Sequence, residues 1–424
     1  MTIEERLRAT NQAVADAMRP VRPLELPGEQ PARVPAGRRS RRWLSWGAPL
    51  AAAALVAAVA VSLALVRQAE GPPPVTPTPA TSGSATPLAS IPRYYVALAG
   101  VGRSRPGVLK AVVGDEQTGR TVAVLNPSAG QNFYGVTGAA DDRTFVVTSY
   151  AGTETTLYLL RLTPGAANPA QLTRLPIKPV AARVAGLALS PDGRELAVMW
   201  RTGTTQANAV TYLAVYSMTS GAALRTWITR GDNMNAIGGA ANEQGLSWVN
   251  GDEGIDFRWS VLKDGTGIYT TLIRRIDVTA PGGDLLADSR VAVRLPNTVA
   301  VTKTTRSWPC YTSLTAGNGT VVCGTLSTGN SFQEVCSTVP PSFVTYSGTT
   351  GKRLKVLYQY HGQCLYAVSV VVWTDPTASR VIAFLALSEK GINMAATDQF
   401  GVITDGRFTP LPKQVVGDAN DVAF

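Results

Sequence analysis

LALSPDGRELAV, residues Leu187–Val198, holds two short apolar runs around Ser190-Pro191-Asp192-Gly193. Pro191 presets a turn, Asp192 and Gly193 complete it, and the flanks have strand composition. Alone, this is one hairpin. The pattern returns along the chain. Gly135-Val136-Thr137-Gly138-Ala139-Ala140-Asp141-Asp142-Arg143 leads into TFVVTSY, Gly245–Asp252 into IDFRWSV, Ser313–Gly319 into TVVCGTL, and Val370–Pro376 into RVIAFLAL. The turns, at Asp141, Asp192, Asp252, Asn318 and Asp375, recur at a fairly even spacing.

A second phrase lies between them. AVVGDEQTGRTVAVL ends at Leu125, LAVYSMTSGAALRTWI at Ile228 and FVTYSGTTGKRLKVLY at Tyr358. Each is a strand, a turn ending in glycine (Gly119, Gly221, Gly351) and another strand. The step from one of these glycines to the next is about twice the spacing of the first phrase, so the two counts agree. The two phrases together make one four-stranded antiparallel unit. A single sheet cannot bury both its faces, but units stacked radially bury them against their neighbours and close into a ring. The fold expected is therefore all-β: a β-propeller of four-stranded antiparallel blades. The stretch 93–424 has room for six such blades, with seven as the alternative.

The first unit begins at its second strand, Tyr94–Ala99, followed by Leu109–Val113 and Thr121–Leu125. Its innermost strand is missing. The segment Asp421-Val422-Ala423-Phe424 is similar to Gly186–Leu189 and Gly245–Trp248. It is predicted to complete the first blade, hiding two open edges.

LALSPDGRELAV and the phrase Thr350-Gly351-Lys352-Arg353-Leu354 resemble the WD40-like propellers of high-GC Gram-positive bacteria, and equally the TolB-type propellers. The resemblance covers about residues 43–424. It implies a short cytoplasmic tail, one membrane helix and an extracytoplasmic propeller. Members lie near extracytoplasmic-function sigma factors, which implies a link to signalling. The Gly-His and Trp-Asp pairs of strict WD40 repeats are absent.

The membrane segment is legible independently. Trp43–Val66, WLSWGAPLAAAALVAAVAVSLALV, carries no charge along its whole length. As a helix it would run roughly 36 Å against about 30 Å of hydrocarbon. Arg33, Arg38, Arg39, Arg41 and Arg42 precede it, while only Arg67 follows before Arg93. The positive-inside rule puts residues 1–42 in the cytoplasm and 67–424 outside, at the plasma membrane with a single pass. In the tail, Thr2–Met18 has the spacing of one short amphipathic helix, suited to a cytoplasmic partner or to resting on the bilayer. Residues 67–92, rich in Pro, Thr and Ser, form a linker.

Charge excludes nucleic acid as a partner. The net charge is +10. Residues 1–42 carry 9 Arg and 5 acids, hence +4, and residues 67–424 carry 30 basic and 24 acidic residues, a dilute +6. Phosphate binding needs clustered basic residues, and the only cluster flanks the membrane segment.

Four cysteines, Cys310, Cys323, Cys336 and Cys364, are disulfide candidates in an oxidising compartment. Three pairings are open. A hairpin turned at Gly329-Asn330 would set Cys323 opposite Cys336, leaving Cys310 to Cys364. A metal site is not expected, because no Cys-x₂-Cys occurs and His361 is the one histidine. That single histidine also removes most nucleophile–base pairs, and it falls in a turn. The acidic pairs Asp115-Glu116, Asp141-Asp142 and Asp252-Glu253 fall in turns, where Asp serves the backbone. Gly100-Val101-Gly102 has no helix after it, and Asn318-Gly319-Thr320 is a common triplet in a turn. Trp200, Trp227, Trp248, Trp259 and Trp373 read as strand packing, with one or two at the channel mouth.

No catalytic residue and no cofactor is therefore assigned. The expectation is a non-catalytic binding or sensing module that holds a protein or small molecule outside the cell. One alternative is a propeller hydrolase or lyase with its site at the channel mouth. Another is a sigma-factor-linked regulator acting through residues 1–42.

Overall fold

The computed structural model describes residues 91–99, 108–203, 208–230, 245–249, 251–263, 268–296, 299–300, 306–328, 336, 339–362, 364, 366–388, 396–411 and 422–424. All fall within one compact unit, Ser84–Phe424. The tail 1–42, the apolar segment 43–66, the linker up to residue 90 and Gly100–Gly102 lie outside the described residues. No helix among the described residues is long and apolar enough to cross a membrane.

The described chain is built from antiparallel sheets whose strands follow one another in sequence. β1 (Tyr94–Ala99), β2 (Lys110–Asp115) and β3 (Arg120–Leu125) pair in order. So do β4 (Asn132–Gly138), β5 (Thr144–Ala151), β6 (Glu154–Leu162) and β7 (Ala170–Arg174). The third sheet is β8 (Val184–Leu189), β9 (Glu195–Thr202), β10 (Val210–Ser217) and β11 (Ala223–Arg230), and the opening stretch supplies its first hairpin. The fourth is β12 (Ser247–Val249), β13 (Gly254–Lys263), β14 (Ile268–Asp277) and β15 (Arg290–Arg294), with the short helix α1 (Leu285–Asp288) before β15.

The remaining strands depart from the repeat. β16 (Val299–Ala300), β17 (Arg306–Thr315), β18 (Val321–Thr328), β19 (Ser342–Tyr346), β20 (Arg353–Gln359), β21 (Tyr366–Thr374), β22 (Val381–Ser388), β23 (Ala396–Thr404) and β24 (Arg407–Pro410) form one nine-stranded sheet. β17–β20 pair consecutively, as do β21–β24. The join is β18, which is longer than its partner. β19 covers only Val321–Gly324, and Leu326–Thr328 overrun to pair with Tyr366–Val368 of β21.

The final strand, β25 (Val422–Ala423), pairs antiparallel with β1, Ala423 opposite Val96 and Val422 opposite Ala97. The first sheet is thus β25-β1-β2-β3, the closure expected from sequence. Phe424 is buried and packs on Tyr95 with ring centroids 5.5 Å apart. The architecture is propeller-like, and β25, β4, β8, β12, β17 and β21 stand around one cavity, each touching the next.

The repeats reappear as identical bonds. Gly119, Gly221 and Gly351 have φ of 65°, 69° and 67°. Each donates its N–H four residues back, to the Asp115, Ser217 and Ser347 carbonyls at 2.8–2.9 Å. In the first-hairpin turns, the Ala139, Ser190, Ala316 and Asp375 N–H groups donate to the carbonyls of Thr144, Glu195, Thr320 and Arg380 at 2.8–3.0 Å.

The first strands are joined by side chains, because a strand at the hole of a ring has one unpaired edge. Thr137 Oγ1 on β4 accepts from the Leu189 N–H of β8 at 3.2 Å. Trp248 Nε1 on β12 donates to the Ala188 carbonyl of β8 at 2.9 Å. Ser247 Oγ accepts from the Thr315 N–H of β17 at 3.1 Å. Thr312 Oγ1 on β17 donates to the Ser369 carbonyl of β21 at 3.1 Å.

The disulfides correct the expected pairing. Cys310 is bonded to Cys323, and Cys336 to Cys364, with Cα separations of 4.9 and 5.1 Å. Both separations are ordinary for the bond. The strand opposite Cys323 is β19, where Val344 faces it, and not a segment carrying Cys336. On its other side Cys323 lies opposite Ser313, and the ladder slips between Trp308 and Thr312, which brings Cys310 within reach. Gly329-Asn330, the proposed hairpin turn, lies outside the described residues.

Candidate functional site

The site that the fold creates is the central cavity, of about 760 Å³. Most of its wall comes from the first strands, β25, β4, β8, β12, β17 and β21. The wall is mixed. Leu187, Leu246, Leu314 and Trp373 supply apolar surface, while Thr137, Ser247 and Ser313 supply hydroxyls. Two carboxylates, Asp141 and Asp142, and one guanidinium, Arg258, also reach it.

Both carboxylates serve the backbone. Asp141 accepts from the N–H groups of Arg143 and Thr144 at 3.0 and 2.8 Å and from Thr144 Oγ1 at 2.7 Å. Burial pushes its carboxyl up, but these bonds outweigh burial and hold it below the ordinary range. Asp142 sits at φ 53° and accepts from the Arg93 N–H at 2.8 Å. Asp192 and Asp375 repeat the device. Asp192 accepts from Ser190 Oγ at 2.7 Å and the Arg194 N–H at 3.0 Å. Asp375 accepts from the Ser379 and Arg380 N–H groups at 2.7 and 3.0 Å and from the hydroxyls of Thr377 and Ser379.

The other acidic pairs lie off the cavity. Arg93 donates to Asp115 through Nε and Nη2 at 3.2 and 2.9 Å, and this holds the Asp115 carboxyl down. Burial, then the Asp115 charge, pushes Glu116 up. Asp252, at φ 75°, is pushed up by burial and then by the Asp192 and Glu195 charges of the neighbouring turn. Among the described residues, no acidic pair besides Asp141-Asp142 reaches the cavity wall. No group of three His, Cys, Asp or Glu that could hold a metal occurs among the described residues.

His361 is exposed in the turn after β20, away from the cavity. Asn318 is tied into its turn, with Oδ1 accepting from the Thr320 N–H at 2.9 Å and Nδ2 donating to the Thr377 carbonyl at 3.3 Å. Among the tryptophans, Trp227 and Trp259 are buried packing, and Trp200 stacks on Tyr212 with centroids 5.0 Å apart. Trp248 and Trp373 line the cavity, as does Trp308.

Sequence reading did not single out the charges of the fourth sheet. Asp256 and Arg275 lie directly opposite on β13 and β14. Arg275 donates to both Asp256 oxygens, at 2.6 and 2.8 Å, and Asp256 is fully buried. Arg258, two residues along the same face, donates to the backbone carbonyls of Tyr311 and Cys310. The signal was present in Ile255-Asp256-Phe257-Arg258-Trp259, where charges alternate with large apolar residues.

No family model matches the chain, and no curated protein matches it. Solved structures do. One is the uncharacterized protein lmo1340 of Listeria monocytogenes, 11% identical over 65% of this chain and 64% of that one, TM-score 0.34. Another is the periplasmic gluconolactonase PpgL of Pseudomonas aeruginosa, 11% identical over 75% and 98%, TM-score 0.37. A third is the Cps50 (Swd1) β-propeller domain of Myceliophteria thermophila, 13% identical over 69% and 76%, TM-score 0.36. Likenesses this distant carry nothing about activity.

Proposed function

We propose that this chain is a membrane-tethered, extracytoplasmic β-propeller of six blades that binds a small molecule or protein partner at its centre and does not transform it. Six blades are supported by the six first strands that follow one another around the cavity, β17–β20 and β21–β24 each counting as a blade. Tethering rests on Trp43–Val66 and its arginine flank, and the two disulfides suit the compartment outside the membrane.

One observation carries the binding reading. The cavity offers apolar surface with converging hydroxyls, the makeup of a ligand site, while both carboxylates on its wall are already bonded to a turn or to Arg93. A general acid or base needs a group at liberty to move a proton, and neither carboxylate of that wall is at liberty.

The test is retention without conversion. The full-length protein, in lipid nanodiscs, is incubated with a cell extract and examined by native mass spectrometry. A retained molecule should be released with unchanged mass, and retention should fall when Trp248→Ala opens the wall. Conversion that stops in Asp141→Asn would instead establish the hydrolase or lyase reading. Retention of nothing would remove the small-molecule form of the proposal.

A further inference from the structure

Among the described residues, three charged side chains reach the cavity, and each already has partners in the protein. Asp141 accepts two backbone N–H groups and the Thr144 hydroxyl. Asp142 accepts the Arg93 N–H at 2.8 Å and lies 3.8 Å from the Arg143 guanidinium. Arg258 donates to the carbonyls of Tyr311 and Cys310.

We propose that the cavity selects an uncharged ligand, an apolar, ring-bearing body that carries a hydrogen-bond-accepting oxygen, as in a ketone, ester or amide. The inference rests on the binding reading above and names the ligand class.

The charges argue for neutrality. An ion that leaves water for a protein chamber loses its hydration, and only an available opposite charge makes up the loss. A cationic ligand would have to draw Asp141 or Asp142 from the donors of its turn, and an anionic ligand would have to draw Arg258 from two carbonyls. A neutral ligand needs neither.

The hydroxyls argue for an accepting oxygen. Thr312 Oγ1 is used in both directions, donating to the Ser369 carbonyl at 3.1 Å and accepting from the Val371 N–H at 3.3 Å. Thr374 Oγ1 donates to the Asp375 carbonyl at 3.1 Å. Thr137 differs. Its oxygen accepts from the Leu189 N–H at 3.2 Å, while among the described residues its own O–H has no acceptor. Thr137 is half-buried on the cavity wall, so that O–H remains to donate to a ligand oxygen. Leu187, Leu246, Leu314 and Val372 supply apolar surface, and the half-buried Trp308 and Trp373 keep ring surface for the body of such a ligand. A cavity of about 760 Å³ suits a drug-sized molecule.

The test uses probes with one ring system and three charges: 2-acetylnaphthalene, 2-naphthoate and 2-naphthylmethylammonium. Each is dialysed to equilibrium against the full-length protein in nanodiscs, with uptake by empty nanodiscs subtracted. The wild type should bind the ketone about tenfold or more tighter than either ion. Thr137→Val should weaken the ketone by about threefold to tenfold and leave 2-ethylnaphthalene, which has no acceptor, unchanged. Thr137→Ser should keep the ketone affinity. Equal weakening of the ketone and 2-ethylnaphthalene by Thr137→Val would overturn the role given to Thr137. If the wild type prefers either ion, or binds all three probes equally, the uncharged class falls and the binding reading stands. If no probe binds, the inference is overturned, and the retention experiment alone decides the binding reading.

Discussion

The two faces of the β12–β15 sheet are made from alternate residues of the same strands, yet they differ in makeup. Toward the third sheet, Phe257, Trp259, Leu272 and Ile276 join Trp227, Met199 and Leu213 in one apolar cluster. Toward β17, the intervening residues are Asp256, Arg258, Thr271 and Arg275, together with Ile273, which joins Val293, Cys310, Val321 and Val344 in a second, smaller apolar cluster. Strand alternation permits this division, because neighbouring side chains point to opposite faces. The apolar face holds two sheets together. The more polar face holds a buried ion pair, part of the cavity wall and the Ile273 cluster. One sheet face can therefore carry a matched, buried ion pair beside its apolar packing on the next sheet.

Mutations should separate the two faces. Phe257→Ala on the apolar face removes a fully buried ring and should cost about 3–5 kcal/mol, read by urea denaturation. A cost under about 1 kcal/mol would mean that the cluster does not hold the sheets. On the polar face, Asp256→Ala strands Arg275, which is 11% exposed, and should cost about 3 kcal/mol or more. Replacing both, as Asp256→Val with Arg275→Met, should recover most of that loss. Failure to recover would show that the pair contributes more than the matching of two buried charges.

The closure seam should be intermediate. A Cβ at Gly138 would lie 2.7 Å from the Phe424 carbonyl oxygen, a backbone atom with little room to give. Gly138→Ala should cost about 1–3 kcal/mol, and removing residues 420–424 should lower the melting temperature further. An unchanged melting temperature after that deletion would break the closure. At single links between first strands, Trp248→Phe removes the bond to the Ala188 carbonyl and should cost about 1 kcal/mol.

The smallest effects are the pH dependences, and they have opposite signs. Burial pushes the Asp375 carboxyl up, but bonds from Arg380, Thr377 and Ser379 outweigh it and lower its pKa. It therefore stabilises the fold above the unfolded carboxylate value, about 3.9, and this is lost as pH falls through the folded value. Asp375→Asn should flatten the acid limb of a stability–pH curve. Asp252 is raised, chiefly by burial, so its contribution is present below about 3.9 and is lost as pH rises through its folded value. Asp252→Asn should make the protein slightly more stable at about pH 7, and a loss there would contradict the assignment.

Much of the fold was legible because turns state their needs locally. Gly119, Gly221 and Gly351 announced the same left-handed turn, and Ser190-Pro191-Asp192-Gly193 announced its hairpin. Asp141 and Asp192 were read as turn residues, and the structure binds them into turns. The disulfides are not legible in the sequence, because pairing depends on which strand lies opposite Cys323, and an apparent turn at Gly329-Asn330 says nothing about the β19 strand that arrives from further on. The join between β18 and β21 was likewise invisible, since it arises from a difference in strand length.

The sequence by itself determined the all-β repeat, the turn chemistry, the closing segment at Val422–Phe424 and the apolar run at Trp43–Val66, because each depends on residues close together in the chain or on a phrase that repeats. Only the tertiary structure decided which charges are matched, which cysteines are bonded, and that Arg258 and Ser313, far apart in sequence, share one cavity wall. Those facts depend on how neighbouring sheets stack, and stacking is set by summed packing across many residues rather than by any local pattern.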